Sequence, residues 1–177
     1  MPHGVGEGDV LIRVGRIDPS DVVAPLLREY LAWHLADVEA VTGIRISPAE
    51  ELASDLATLD QFALPSGGLF VARDGDRLVG CVGLRAVAAS AGEAAELKRL
   101  YVRPEARGQA VARRLLAAAL AFASEANFRT VRLDTFETMT AAQSLYRALG
   151  FRVVAPFDDT SIPERHRRHF VFMERAV

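Results

Sequence analysis

A single cysteine, Cys81, stands among the 177 residues. No intrachain disulfide framework can therefore form, and a reducing compartment, the cytoplasm, is the expected setting. Long apolar runs are missing as well. No stretch approaches the ~18–20 residues that a membrane span needs, and Met1 to Asp9 lack the basic-then-apolar order of a signal peptide. Neither sign of charge dominates: 21 Lys and Arg face 23 Asp and Glu, a formal net charge of −2. Such a balance leaves no global footprint for nucleic acid or for an anionic membrane, so neither is expected as a partner. His34, His166 and His169 lack zinc-site spacing and have no cysteine partners, so no metal is expected. No Gly-Lys-Ser/Thr follows a glycine turn, which excludes a P-loop nucleotide hydrolase.

What is present is the balance of an ordinary globular protein, half hydrophobic and a quarter charged. The length fits one domain, expected over residues 10–177 behind a flexible segment at 1–9. Val10–Arg16 reads as a short strand. Asp18-Pro19 marks a helix start, and Leu26, Leu27, Tyr30, Leu31, Leu35 and Val38 form one apolar face of a helix that runs to about Thr42, closed by Gly43. Ser47 and Pro48 open a second helix reaching about Leu59. Leu69–Arg73 and Leu78–Val87 are strands around an Asp74-Gly75-Asp76 turn, mostly apolar and so buried on both faces. Glu96–Val102 is a strand stopped by Pro104, and residues 108–126 are the clearest helix. A strand at Arg129–Thr135, a helix at Thr140–Leu149 closed by Gly150, and strands at Phe151–Ala155 and His169–Glu174 complete the order, with a polar loop over 156–168. Hairpins early and helical connections late imply an α/β fold with a mixed sheet, antiparallel first and then with parallel crossovers.

The segment from Glu96 to Leu116 carries the chemistry. It reads as a strand, a tight turn and a helix start. The first N–H groups of a helix lack internal partners and favour negative charge, so the turn at Arg107-Gly108-Gln109-Ala110 is a phosphate-type site. Gly108 admits close approach of a pyrophosphate, while Ala110 and Ala112 keep the floor low. Lys98, Arg99, Arg103, Arg107, Arg113 and Arg114 add a local basic cluster, although charge at a helix start is often no more than a solvated surface.

This segment resembles the acyl-CoA-binding motif of the GCN5-related N-acetyltransferases, Gln/Arg-x-x-Gly-x-Gly/Ala. Here it reads Arg107-Gly108-Gln109-Ala110-Val111-Ala112, preceded by Leu100-Tyr101-Val102-Arg103-Pro104. Ala110 stands where the family usually has Gly. A second segment, Met139 to Phe151, resembles the family's later Leu-Tyr-x-x-Leu-Gly-Phe motif, with Met139 where Asn is common. The resemblance implies transfer of an acetyl group from acetyl-CoA, as co-substrate, to a primary amine of a small molecule or peptide, by direct attack in a ternary complex. It implies that N–H groups of Gly108 to Arg113 hold the pyrophosphate, with Arg107 and Gln109 in the same turn. Leu100, Tyr101 and Val102 would pair with the pantetheine through a splay or bulge, an N–H of Leu100 or Tyr101 facing the developing oxyanion. It makes Tyr146 the proton donor to the departing thiolate, with core packing as its alternative. Glu96 becomes the candidate base, with Asp134 and Glu137 as rivals.

Several residues carry less. Cys81, in Val-Gly-Cys-Val-Gly, has no charged sequence neighbour and reads as core. Trp33 either lines the acceptor pocket or packs in the core, and Arg165 to His169 form a basic, solvated loop. A non-catalytic acyl-CoA-binding sensor or scaffold is the competing reading, separable by turnover. The acceptor itself is not encoded in any recognisable motif, and a homodimer through the last strand is a further possibility.

Overall fold

The computed structural model describes residues 12–17, 23–87 and 93–177. The expected helix start at Asp18-Pro19, the segment 1–9 and most of the loop after Val87 lie outside them. The described chain forms a seven-stranded sheet in the order β1-β2-β3-β4-β5-β7-β6. In chain order these are β1 (Ile12–Ile17), helix α1 (Ala24–Thr42), helix α2 (Pro48–Ala57), β2 (Gly67–Asp74), β3 (Arg77–Ala86), β4 (Ala94–Val102), helix α3 (Val111–Glu125), β5 (Thr130–Phe136), helix α4 (Thr140–Ala148), β6 (Arg152–Val154), the short helix α5 (Glu164–Arg167) and β7 (Phe170–Ala176).

Neighbouring strands from β1 to β4 are antiparallel, and β4 and β5 pair in parallel. Both helical connections are parallel crossovers, as expected: β4 to β5 through α3, and β5 to β6 through α4, since β5 and β6 each run antiparallel to β7. The last strand enters between β5 and β6 and pairs antiparallel with both, because the loop after β6 is long enough to carry the chain back past its neighbour. The crossover through α3, between directly paired strands, is the one that matters for the site.

The sheet is covered on both sides, as the apolar runs of β2 and β3 require. On one side α3 packs Leu115, Leu116 and Ala119, all fully buried, against Val82, Leu84 and Leu97, and Tyr146 and Phe151 extend this core. On the other side α1 and α2 place Leu26, Leu27, Leu31 and Leu52 against Val71, Cys81 and Tyr101. Each such leucine contributes about 2 kcal/mol by leaving water. Alternate residues of β4 and β5 therefore face opposite cores, and this alternation decides which side chains reach the site.

Local details differ from expectation for identifiable reasons. Helix α1 has Pro25, not Pro19, in its described first turn, and ends on Gly43 at φ 71°. Ser47 caps α2 by accepting from the Glu50 N–H at 3.3 Å. That helix stops at Ala57, and a 3₁₀ turn over Leu59–Phe62 follows, swinging the Phe62 ring over β3. Gly83 leaves the room for it, since a Cβ there would lie 2.5 Å from Phe62 Cε1. Helix α3 starts at Val111 rather than 108, because Gly108 and Ala110 both take positive φ, at 79° and 57°. Residues 104–106 form a separate 3₁₀ turn, and α5 interrupts the expected loop over 156–168.

Candidate active site

Strands β4 and β5 stay paired only from Ala94↔Thr130 to Glu96↔Arg132. Beyond that point β4 follows β3 and β5 follows β7, and the two part. A bulge in β4 sharpens the divergence: Gly83 pairs with Lys98 and Cys81 with Tyr101, so Arg99 and Leu100 together oppose Val82. Arg99 sits at φ 59°, a conformation costing a non-glycine residue roughly 1–2 kcal/mol. Its side chain is anchored across the cavity. Arg99 donates to both carboxylate oxygens of Asp55 at 2.7 and 2.6 Å and to Glu51 at 3.3 Å, a bidentate charge-assisted pair that offsets the strain.

A cavity of about 1040 Å³ occupies the gap. It runs from the turn before α3, past the parted strands and Tyr146, to a wall made by α1, α2 and the 3₁₀ turn at Phe62.

At one end lies the start of α3. No side chain caps it, and no acidic residue stands in its first turn. The first intrahelical bond runs from the Arg114 N–H to the Ala110 carbonyl at 3.0 Å. The N–H groups of Ala110 to Arg113 therefore precede the ladder and have no helical acceptor, the condition for binding an anion. Arg107 is steered toward this end by donating to the Val102 carbonyl at 3.1 Å, with its guanidinium 5.6 Å from the Trp33 ring. Of the cofactor-binding candidates, Leu100, Tyr101, Val102, Arg107, Gly108, Ala110, Val111, Ala112 and Arg113 all line the cavity. Gln109 does not; its amide turns back to the Glu105 carbonyl at 3.3 Å.

The basic cluster seen in the sequence is not one patch. Arg103 holds Glu29 of α1 through two bonds of 2.8 and 2.7 Å and the Leu78 carbonyl at 2.7 Å. With Arg99 tied to Asp55 and Lys98 to Asp134, only Arg107 and Arg113 of the six stand at the α3 end of the cavity.

Tyr146 comes from α4, is 6% exposed, and lines the cavity beside the parted strands. Its ring packs edge-on to Phe151 at 5.8 Å. Burial, with smaller contributions from Tyr30 and Asp134, raises its pKa well above the ordinary phenol value and keeps it protonated.

Glu96 is placed differently from a free base. It is 5% exposed and lies outside the cavity lining. Arg85 donates to it from Nε and Nη2 at 3.1 and 2.7 Å, while Lys98 stands 3.5 Å and Arg132 3.7 Å from its other oxygen. Of the three candidate bases, the one that lines the cavity is Asp134, on β5 one turn of the pleat beyond Arg132, held by Lys98 Nζ at 2.5 Å across the gap. Glu137 instead pairs with His169 at 2.6 Å.

The far wall was not readable from the sequence. Tyr30 stacks on His34 at 5.3 Å, and His34 meets Phe136 edge-on at 6.0 Å. Burial first, then the Arg99 charge, lowers the His34 pKa to about 4, leaving it neutral, and its Nδ1 has no hydrogen-bond partner. Burial likewise raises Tyr30 to about 12. Only the helical periodicity of α1 could have hinted at this stripe, and it points equally to core. Trp33 is 46% exposed at the cavity rim. Cys81 is fully buried, its thiol pushed up to about 12 by burial, with Sγ 3.5 Å from the Arg99 carbonyl. It braces the bulge and does not line the cavity.

The family model for acetyltransferases (GNAT) matches residues 33–151. An uncharacterized N-acetyltransferase of Schizosaccharomyces pombe is 31% identical over 64% of this chain and 68% of its own length. An IAA acetyltransferase of Azospirillum brasilense is 33% identical over 82% of this chain and 88% of its own. Among solved structures, the PaiA N-acetyltransferase of Thermoplasma acidophilum, in complex with coenzyme A, superposes with a TM-score of 0.69 at 19% identity, covering 94% of this chain and 99% of that one.

Proposed function

The chain belongs to the acetyltransferase (GNAT) family, whose enzymes use acyl-CoA, and we propose that it moves an acetyl group from acetyl-CoA to a primary amine by direct attack in a ternary complex. One observation carries this reading. A single cavity joins an uncapped helix start, a gap between two parted strands and a protonated tyrosine, in the order of the pyrophosphate, pantetheine and thioester of the co-substrate.

The N–H groups of Ala110 to Arg113 hold the pyrophosphate, with Arg107 and Arg113 adding charge. The β4 edge at Leu100 to Val102, which has no β5 partner, offers backbone groups to the pantetheine amides. The amine nitrogen attacks the carbonyl carbon, a C–N bond forms, and the carbonyl oxygen becomes an oxyanion facing the N–H of Leu100, since that of Tyr101 is turned to Cys81 on β3. One such donor is typically worth about 3 kcal/mol. The C–S bond then breaks. Tyr146 meets the departing sulfur. The burial that keeps it neutral also makes it a weaker acid, so it first steadies the thiolate with a hydrogen bond and yields the proton as charge localises on sulfur.

The amine must lose a proton. Asp134 takes the place of Glu96 in this role, because Asp134 faces the cavity and Glu96 lies beneath it, caged by Arg85 and Lys98. Glu96 serves the site by positioning those cations.

The test is thiol release from acetyl-CoA over a panel of amines, with Tyr146→Phe alongside. Turnover by the parent and its loss in a variant that still binds acetyl-CoA support the reading. Acetyl-CoA binding with no turnover on any amine would favour a non-catalytic acyl-CoA sensor instead.

A further inference from the structure

Beyond the Lys98–Asp134 pair, on the same face of the sheet, the cavity reaches Arg85 of β3 and Gln61 of the 3₁₀ turn. We propose that the acceptor is a free amino acid: Arg85 and Gln61 bind its carboxylate while its amine lies at Asp134. This rests on the acetyltransferase reading above.

The Arg85 guanidinium, on this wall, has donors to spare. Its side chain is 33% exposed, against 6% for the Glu96 carboxylate beneath it. Of the donors a guanidinium carries, Nε and one Nη2 proton go to a single Glu96 oxygen, and one Nη1 proton goes to the neutral Gln61 amide oxygen. One proton on each terminal nitrogen is left. Both are open to the oxygens of an incoming carboxylate. Gln61 adds a hinge, since its Nε2 now donates to Thr58 Oγ1 at 3.1 Å. An amide rotation would turn that donor to the incoming carboxylate.

Charge balance points the same way. Across the wall, Lys98 pairs with Asp134, Arg132 with Asp159, and Arg85 with Glu96. These three cations share three carboxylates, with Glu96 within 3.7 Å of all of them. Glu51 and Asp55 are already turned to Arg99. An ammonium arriving at Asp134 displaces Lys98 Nζ, whose next carboxylate is Glu96, 3.5 Å away. Glu96 is then shared between Lys98 and Arg85, and Arg85 is left short of negative charge. A ligand bringing a carboxylate with its ammonium supplies Arg85 with a partner of its own, which a simple amine does not. The aromatic stripe of Tyr30, His34 and Phe136 stands beside the amine position, leaving the acceptor side chain to lie along Leu35, Val38 and Ile46.

The experiment compares amino acids with the amines left by their decarboxylation: alanine with ethylamine, lysine with cadaverine, phenylalanine with phenethylamine, tyrosine with tyramine. Thiol release from acetyl-CoA is followed for the full-length protein. The expected result is a best acceptor that is an amino acid, with kcat/KM at least about tenfold above its paired amine. Arg85→Met should collapse that ratio through KM of the amino acid, and Arg85→Lys should restore part of it. Because Arg85→Met also uncages Glu96 and can destabilise the fold, Gln61→Glu provides a second variant. It sets a resident carboxylate against Arg85 and should lower the ratio in the same direction. Amines equal to or better than their amino acids, or a ratio unmoved by both Arg85→Met and Gln61→Glu, would overturn the inference. Turnover of neither member of any pair would overturn it too. If acetyl-CoA still binds, that result leaves the cofactor assignments standing; if acetyl-CoA does not bind, the acetyltransferase reading fails with it.

Discussion

At the α3 end of the cavity, residues 107–113 present mainly backbone and small side chains: Gly108, Ala110 and Ala112, with the N–H groups of the first helical turn exposed between them. At the α1–α2 end the surface is almost wholly side chain, a layer of rings over a row of ion pairs, with Arg85, Lys98 and Arg99 each fastened to a carboxylate. A pyrophosphate can be bound by backbone because every residue supplies the same N–H, so that end needs only a chain conformation. An acceptor has to be told from other acceptors, and side chains alone carry that information. The two ends therefore respond to substitution differently, the first to changes of backbone conformation and the second to changes of charge and ring packing.

The largest effect expected on the chemistry alone comes from the residue between the two ends. Tyr146→Phe should lower kcat by about 10²-fold or more, while acetyl-CoA affinity, measured by calorimetry, stays within about threefold of the parent. A proportional fall in both would mean that the ring serves only packing.

Next comes the acceptor wall. Gly67→Ala would set a Cβ 2.6 Å from the Gln61 carbonyl oxygen, a backbone atom that cannot rotate away. Overpacking of this kind costs about 1–3 kcal/mol, read as a lower midpoint in urea. Because the shift falls on the 3₁₀ turn that carries Gln61 and Phe62, acceptor KM should rise more than acetyl-CoA Kd. An equal change in both would blur the distinction between the ends.

Acid should distinguish the ends as well. The folded-state pKa of His34 is depressed to about 4 from an ordinary 6.5, so the unfolded chain binds a proton that the folded one refuses in between. His34 therefore contributes stability that is lost as the pH falls from about 6.5 toward 4, amounting to about 2 kcal/mol between pH 7 and 5. Urea titrations at both pH values should show this loss in the parent and not in His34→Gln. A variant that keeps the full loss would assign it to other groups.

The smallest effect should come from the cofactor end, with the opposite sign. Ala110 holds φ 57°, and glycine takes that conformation without the Cβ penalty. Ala110→Gly should raise stability by a few tenths to about 1 kcal/mol and leave acetyl-CoA affinity equal or better. A loss of stability would mean that chain entropy outweighs the strain at this turn.

The same division explains what could be read in the sequence. The cofactor end is local: Val102 to Leu116 is one continuous segment, and Pro104, Gly108 and the apolar period of α3 signal a strand, a turn and a helix without reference to the rest of the chain. Even there the sequence places the helix start three residues early, because Ala110 gives no outward sign of its left-handed backbone. The acceptor end is assembled from distant pieces. Arg85 and Gln61, or Arg99 and Asp55, lie far apart in the chain and meet only because the 3₁₀ turn packs on β3 and α2 lies beside the bulged strand. Glu96 lies level with Arg132 on the neighbouring strand, two residues before Asp134, and which of the two carboxylates faces the cavity depends on where the pairing ends. Sequence spacing does not contain that point. The placement of β7 between β5 and β6 was likewise invisible, since strand order is decided by a long connection with no pattern of its own.

The most direct test of the account is a calorimetric titration of acetyl-CoA into the parent and into Gly108→Pro, with thermal unfolding run on both. Gly108 has open space around it but φ 79°, which proline cannot adopt. The substitution therefore disturbs the backbone of the turn and nothing packed against it. The account predicts binding at ~micromolar affinity by the parent and at least about tenfold weaker binding by a variant that still unfolds cooperatively. Absence of binding by the parent, or undiminished binding by the variant, would contradict it.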